Sequence, residues 1–262
     1  MKNLPFPVKA GATIVILTTG SLVMLLAAVA TGFRAPRLYR ETILARIAGL
    51  ILDVFGIELE VVHEAPIPEG QVVFIANHPS TIDTFTLPAM RLPNARFFYY
   101  GGWRKIPPFA LIGHLAGNFW TVSQDFPEQR REIFARAART LEHTGESVFL
   151  SPEGQRTTGG VIGPFNKGAF HLATHLKAPI VPLFIEVPQE IDPGLGFDAK
   201  PGRVRIHVGA PVDTSSWTLA DLDKNREALR NRYVEWNQSR ALARPAAPSS
   251  TPGAGDARRA AA

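Results

Sequence analysis

The chain of 262 residues is 45% hydrophobic and 19% charged, a globular composition that excludes wholesale disorder. It has no cysteine, which excludes disulfides, thiolate metal sites and a cysteine nucleophile. The formal net charge is +5, but residues 239–262 hold four arginines against one aspartate, so the remainder lacks the concentrated basic face of a nucleic-acid binder and no nucleic-acid partner is expected.

Between Lys9 and Arg34 lie 24 residues without a charge. As a helix this stretch would reach roughly 36 Å, enough to cross a hydrocarbon core. It reads as a membrane helix. A cleaved signal peptide ending near Ala28-Val29-Ala30 is the competing reading, opposed by Arg34, Arg37 and Arg40, which follow at once. A buried core helix is the third reading, opposed by the length and uniform apolarity of the stretch, and the helix could also lie half-inserted without spanning. The arginines after the segment, Arg46 included, place the bulk of the chain at a membrane, facing the cytoplasm. Residues 38–55 form a second helical pattern, with Ile43, Leu44, Ile47, Leu50, Ile51, Val54 and Phe55 within an arc of roughly 140°. Such a helix either packs on the domain or continues the membrane contact. Residues 1–56 are thus read as a membrane anchor with an amphipathic helix.

Residues 57–238 alternate short apolar runs with helical patterns. Strands are expected at Gln71–Ala76, Arg96–Tyr100, Phe119–Val122, Ser147–Leu150, Ile180–Val187 and Arg203–Val208. Helices are expected at Glu128–His143, Ala169–Lys177 and Leu219–Trp236. This order predicts one α/β domain, a mixed, mostly parallel sheet flanked by helices. Residues 239–262, rich in Pro, Ala, Gly and Ser, read as a disordered basic tail.

Two clusters carry chemistry. After the first strand comes Asn77-His78-Pro79-Ser80-Thr81-Ile82-Asp83. On an ideal helix His78 and Asp83 would sit roughly 140° apart and not meet. Pro79 pushes His78 out of the helical region, so Asp83 in the first turn can reach back to its Nδ1. A histidine oriented by a carboxylate is a competent general base. The same Ser80-x-x-Asp83 is equally a capping box, with His78 merely structural. The second cluster, Ser151-Pro152-Glu153-Gly154-Gln155-Arg156-Thr157-Thr158, follows another strand, and Phe165-Asn166-Lys167-Gly168 opens the next helix. Arg156 and Lys167 among glycines and hydroxyls form a candidate anion pocket.

NHxxxxD after a strand, then PEGxR, then FxKG, then the proline-bearing strand Ala178–Pro182 is an ordered set. It resembles the glycerolipid acyltransferase family that includes the lysophosphatidic acid acyltransferases, over roughly residues 70–210. The resemblance implies acyl transfer from a thioester to a lysolipid hydroxyl in phospholipid biosynthesis, most simply lysophosphatidic acid to phosphatidic acid. It implies His78 as base and Asp83 as its orienting carboxylate. It places Asn77, Glu153, Gly154, Arg156 and Lys167 at the acceptor and Pro182 on the acyl-donor side. It implies membrane lipids as partners, acyl-CoA or acyl carrier protein as co-substrate, and no further cofactor and no metal. The family's second block departs: Gln124 stands where an arginine is expected to grip the acceptor's phosphate, with Arg104 and Lys105 upstream as possible substitutes. A different acceptor, such as a lyso-aminolipid, or a lipid-binding homologue without catalysis, is the alternative. His171 and His175 have i, i+4 zinc spacing but lack a third ligand.

Overall fold

Four-residue runs such as VFIA and SVFL show no alternation because they are covered on both faces. They are central strands of a seven-stranded sheet in the computed structural model, which describes residues 4–157, 161–192, 196 and 198–243. The strands are β1 (Ile57–His63), β2 (Val73–Ala76), β3 (Ala95–Tyr100), β4 (Phe119–Thr121), β5 (Ser147–Leu150), β6 (Ile180–Glu186) and β7 (Gly202–Val208). Their order is β1-β7-β6-β2-β5-β3-β4. Every neighbouring pair is parallel except β6–β7. This is the expected mixed, mostly parallel sheet.

The helices are α1 (Phe6–Ala30), α2 (Ala45–Phe55), α3 (Asp83–Ala89), α4 (Pro107–Leu115), α5 (Pro127–Thr144), α6 (Gly168–Leu176) and α7 (Leu222–Ala243). A π-helical segment, Leu38–Leu44, leads into α2. The two faces of the sheet carry separate cores. Phe74, Ala76, Phe149, Val181 and Leu183 pack with residues of α1 to α4, whereas Val73, Ile75, Val148, Leu150 and Ile180 pack with α5 to α7. The N-terminal helices therefore share a core with the sheet and are not a separate appendage.

α1 is about 37 Å long and docks along its length. Lys9, near its start, bonds the Ala199 carbonyl at 3.1 Å and pairs with Asp198 at 3.3 Å. Gly20 lies against Ile47, Met24 and Ala28 are buried, and Thr31 bonds the Tyr39 hydroxyl. The opposite face leaves Ile14, Val15, Leu22, Leu26 and Val29 exposed.

The structure corrects several boundaries. β1 was not expected: Glu58 and Glu60 interrupt its apolar run, as suits an edge strand. α3 opens at Asp83, in the helical turn expected after Pro79, whereas α4 has no counterpart in the sequence pattern because it is short and begins with Pro107-Pro108. Leu219 is exposed in a 3-10 turn before α7 and not on its packed face. α7 runs through Ala243, into the segment read as tail, where Ala, Leu and Arg are good helix formers. Thr158 and residues 244–262 lie outside the described residues.

Candidate functional site

β2 ends at Ala76, and Asn77 fastens that end to β6: its Nδ2 donates to the Ile185 carbonyl at 2.9 Å and its Oδ1 accepts the Ile185 N–H at 2.8 Å. Pro79 then keeps His78 out of the helix and Asp83 opens α3. The His78 Nδ1 lies 3.0 Å from Asp83 Oδ2, which also accepts the Ser80 N–H at 3.0 Å. The carboxylate thus holds the imidazole and the Ser80 N–H together, which is one half of the capping box; the other half is not made, since no side chain caps α3. The His78 side chain is 28% exposed and that of Asp83 2%. Burial pushes the Asp83 carboxyl up from its ordinary range, opposed by the bonds from His78 and Ser80. Behind it, the Ser80 hydroxyl accepts the Ile82 N–H and donates to the buried Asp192.

The loop after β5 clamps this segment. Glu153 is buried, and its carboxylate accepts the main-chain N–H of His78 and of Gly163, both at 3.0 Å, and the Thr157 side chain. Thr157 N–H returns a bond to the His78 carbonyl at 3.0 Å. Burial pushes the Glu153 carboxyl up while these donors oppose it. Gly154 adopts φ +70°, and a Cβ there would meet Asn166 Nδ2 at 2.7 Å and Gln124 Nε2 at 2.8 Å, so both conformation and space require glycine. Gln124 spends its amide on the Glu153 carbonyl, at 3.2 Å.

A cleft of about 920 Å³ opens beyond the carboxyl ends of β2 to β5, where open α/β sheets bind ligands. His78, Asp83, Lys105, Gln124, Arg130 and Arg156 line its polar part, and Leu87, Phe97, Tyr99, Trp103, Phe134 and Phe149 its apolar part. Arg156 donates to the Thr81 hydroxyl. Asn77 and Gly154 also reach the wall.

Other residues marked by the sequence stand elsewhere. Glu153 does not line the cleft but lies behind it, holding the His78 backbone. Lys167 pairs with Asp223 at 2.8 Å at the surface. Arg104 is exposed outside the cleft wall, which its neighbour Lys105 lines instead. Pro182 sits inside β6 opposite Ile75. Its carbonyl accepts the Gly209 N–H at 2.8 Å, so its missing N–H falls on the β7 side, where the ladder begins only at Leu183. His175 faces Glu142 at 3.4 Å, and no metal-ligand cluster occurs among the described residues. Arg130 went unmarked, because in PEQRREIF nothing separates it from its charged neighbours.

If Glu153 positions His78 and does not contact substrate, Glu153→Gln lowers kcat by about tenfold to a hundredfold, the effect of a charge-assisted bond worth about 1.5–3 kcal/mol. The acceptor KM then moves less than about twofold. Steady-state kinetics separates this from a lining role, which would raise KM.

Residues 58–186 match the sequence profile of the family described as Acyltransferase. The 1-acyl-sn-glycerol-3-phosphate acyltransferase of Limnanthes alba is 24% identical over 194 residues, 72% of this chain and 66% of that protein. The enzyme of the same name from Haemophilus influenzae is 26% identical over 179 residues, 67% of this chain and 72% of the relative. The alpha form from Mus musculus is 27% identical over 198 residues, 69% of this chain and 64% of the relative. The match thus spans slightly less than two thirds of the plant and mouse relatives. The crystal structure of the 1-acyl-sn-glycerophosphate (LPA) acyltransferase PlsC from Thermotoga maritima superposes with a TM-score of 0.63 at 20% identity, covering 89% of this chain and 98% of that one.

Proposed function

The chain belongs to the acyltransferase family, and from that premise we propose that it transfers a fatty acyl group from an acyl thioester to the free hydroxyl of lysophosphatidic acid, forming phosphatidic acid. The observation that carries the proposal is the His78–Asp83 pair, with Asp83 on Nδ1 and the imidazole edge at a cleft that also holds three cationic side chains. With Nδ1–H donated to Asp83, Nε2 takes the proton of the acceptor hydroxyl. That oxygen attacks the thioester carbonyl, and the buried carboxylate stabilises the imidazolium. When the tetrahedral intermediate collapses, the C–S bond breaks and the thiolate leaves with the proton from Nε2. Lys105 and Arg156 face the acceptor's phosphate, and the aromatic wall of Phe97, Tyr99 and Trp103 takes acyl chain. The donor in this reading is an acyl thioester of coenzyme A or of acyl carrier protein.

Turnover of radiolabelled acyl-CoA and acyl carrier protein thioesters against a lysolipid panel tests the reading. Phosphatidic acid from wild-type protein supports it, and absence of turnover with every pair overturns it. The neutral Gln124 favours a second reading, an acceptor other than lysophosphatidic acid, and the same panel reports it.

The exposed face of α1 is the membrane contact in this proposal. Because its other face is docked from Lys9 to Thr31, α1 lies in one leaflet and holds the domain at the interface, on the cytoplasmic side that Arg34 and Arg37 favour. Leu26 is 69% exposed and Val15 63%. The double substitution Val15→Glu with Leu26→Glu lowers partition into phospholipid vesicles at least ~10-fold, since each apolar side chain is worth about 1.5–3 kcal/mol on burial. Co-sedimentation measures this, and circular dichroism checks the fold.

A further inference from the structure

We infer that Arg130, on α5 and outside every motif, binds the phosphate of the acceptor lysolipid. The inference rests on the acyl-transfer reading above. Arg130 lines the same cleft as His78, while Gln124 is neutral and has its amide bonded to the Glu153 carbonyl. Arg130 Nη1 donates to the Val122 carbonyl at 3.1 Å, which fixes the guanidinium beside the segment that ends in Gln124. Its other N–H groups have no protein partner, and no carboxylate pairs with it, among the described residues. Burial lowers its pKa, the mark of a cation partly stripped of water and left without an anion. Arg131, the next residue, has the opposite character: its side chain is 75% exposed and pairs with Glu128 at 2.8 Å. Two carboxylates do reach the cleft, but Asp83 is bonded to His78 and Asp125 to the Ser123 hydroxyl at 2.6 Å. A guanidinium held by one N–H, with the rest of its fork open, suits bidentate recognition of a phosphate monoester.

The acyl-CoA donor also carries phosphates, so the test separates the two sources. Binding of lysophosphatidic acid to His78→Ala protein, measured by calorimetry in detergent, reads the contact without turnover. Adding Arg130→Gln weakens that binding about tenfold to a hundredfold. It leaves monoacylglycerol, which lacks the phosphate, within about twofold. Arg130→Lys recovers part of the loss, since it keeps the charge but not the fork. In the otherwise wild-type enzyme, Arg130→Gln raises KM for the lysolipid and not for acyl-CoA, and Arg131→Gln changes neither. Unchanged lysophosphatidic acid binding overturns the assignment, as does a loss confined to acyl-CoA. A parallel loss for monoacylglycerol would show that Arg130 only shapes the loop through Val122. Failure of wild-type protein to acylate lysophosphatidic acid, with this binding pattern intact, would overturn the functional reading and leave the phosphate site standing.

Discussion

His78→Ala lowers acyl transfer by about 10²- to 10⁴-fold, the range set by a positioned general base. Asp83→Asn lowers it on the order of 10³- to 10⁴-fold, because an amide can offer an N–H to Nδ1 and so favour the wrong tautomer. The double substitution is little worse than either alone, since Asp83 acts through His78 across the 3.0 Å bond. Single-turnover rates at saturating lysophosphatidic acid measure all three, and an active Asp83→Asn protein would show that the carboxylate only braces the Ser80 turn. Stability separates this loss from unfolding. Burial raises the folded pKa of Asp83 above its unfolded value, about 3.9. The native state therefore binds its proton more tightly than the unfolded chain does. This group's contribution to stability is fully present below the unfolded pKa and is lost as pH rises through the folded value. Above the folded value the ionised carboxylate is a cost that the amide removes. Asp83→Asn is accordingly expected to lose activity without losing Tm at pH 8, with the difference from wild type shrinking as pH falls.

The sequence carried the interior of the sheet more clearly than its rim. β2, β5 and β6 were legible because burial on both faces leaves unbroken apolar runs. β1 has one covered face and a row of ion pairs, Glu58 and Glu60 with Arg203 and Arg205 across the β1–β7 ladder, and partners of that kind are visible only once the strands are paired. The site divides in the same way. His78 and Asp83 are five residues apart, and a proline between them decides their geometry, so local rules suffice. Glu153 was legible as a motif residue, but whether its carboxylate faces substrate or the back of the His78 loop depends on tertiary placement. So does the difference between Arg130 and Arg131, adjacent in sequence and opposite in environment.

Glu146→Ala is expected to cost about 3–5 kcal/mol, because it strands two guanidinium groups that share one carboxylate. Arg40, itself buried, bonds Glu146 Oε1, and Arg96 bonds Oε2. Arg40 also donates to the carbonyl and side chain of Asn94 at 3.2 and 3.1 Å, and Arg96 to the Gly117 carbonyl at 2.9 Å. The π-helical turn of Leu38–Leu44 delivers Arg40 to this point, so the cluster ties the N-terminal helices to the starts of β3 and β5. Burial alone would push the Glu146 carboxyl up, but the bonds and charges of Arg40 and then Arg96 override it and hold it below the ordinary range. Its stabilisation is therefore present above the unfolded pKa, about 4.3, and is lost as pH falls through the folded value. The deficit of Glu146→Ala should be full at pH 7, a Tm lower by ~10 °C, and should shrink under acid as wild type loses the same contribution. Replacing Arg96 instead leaves the Arg40–Glu146 pair intact and costs less. Differential scanning calorimetry of Glu146→Ala and Arg96→Gln across pH measures both, and equal Tm for the two would show that the clamp is a surface-like contact. The clamp holds the anchor that the exposed face of α1 would bury in lipid against the sheet that carries His78. Loosening it should therefore reduce turnover on vesicles more than turnover in detergent micelles, where no anchoring is required.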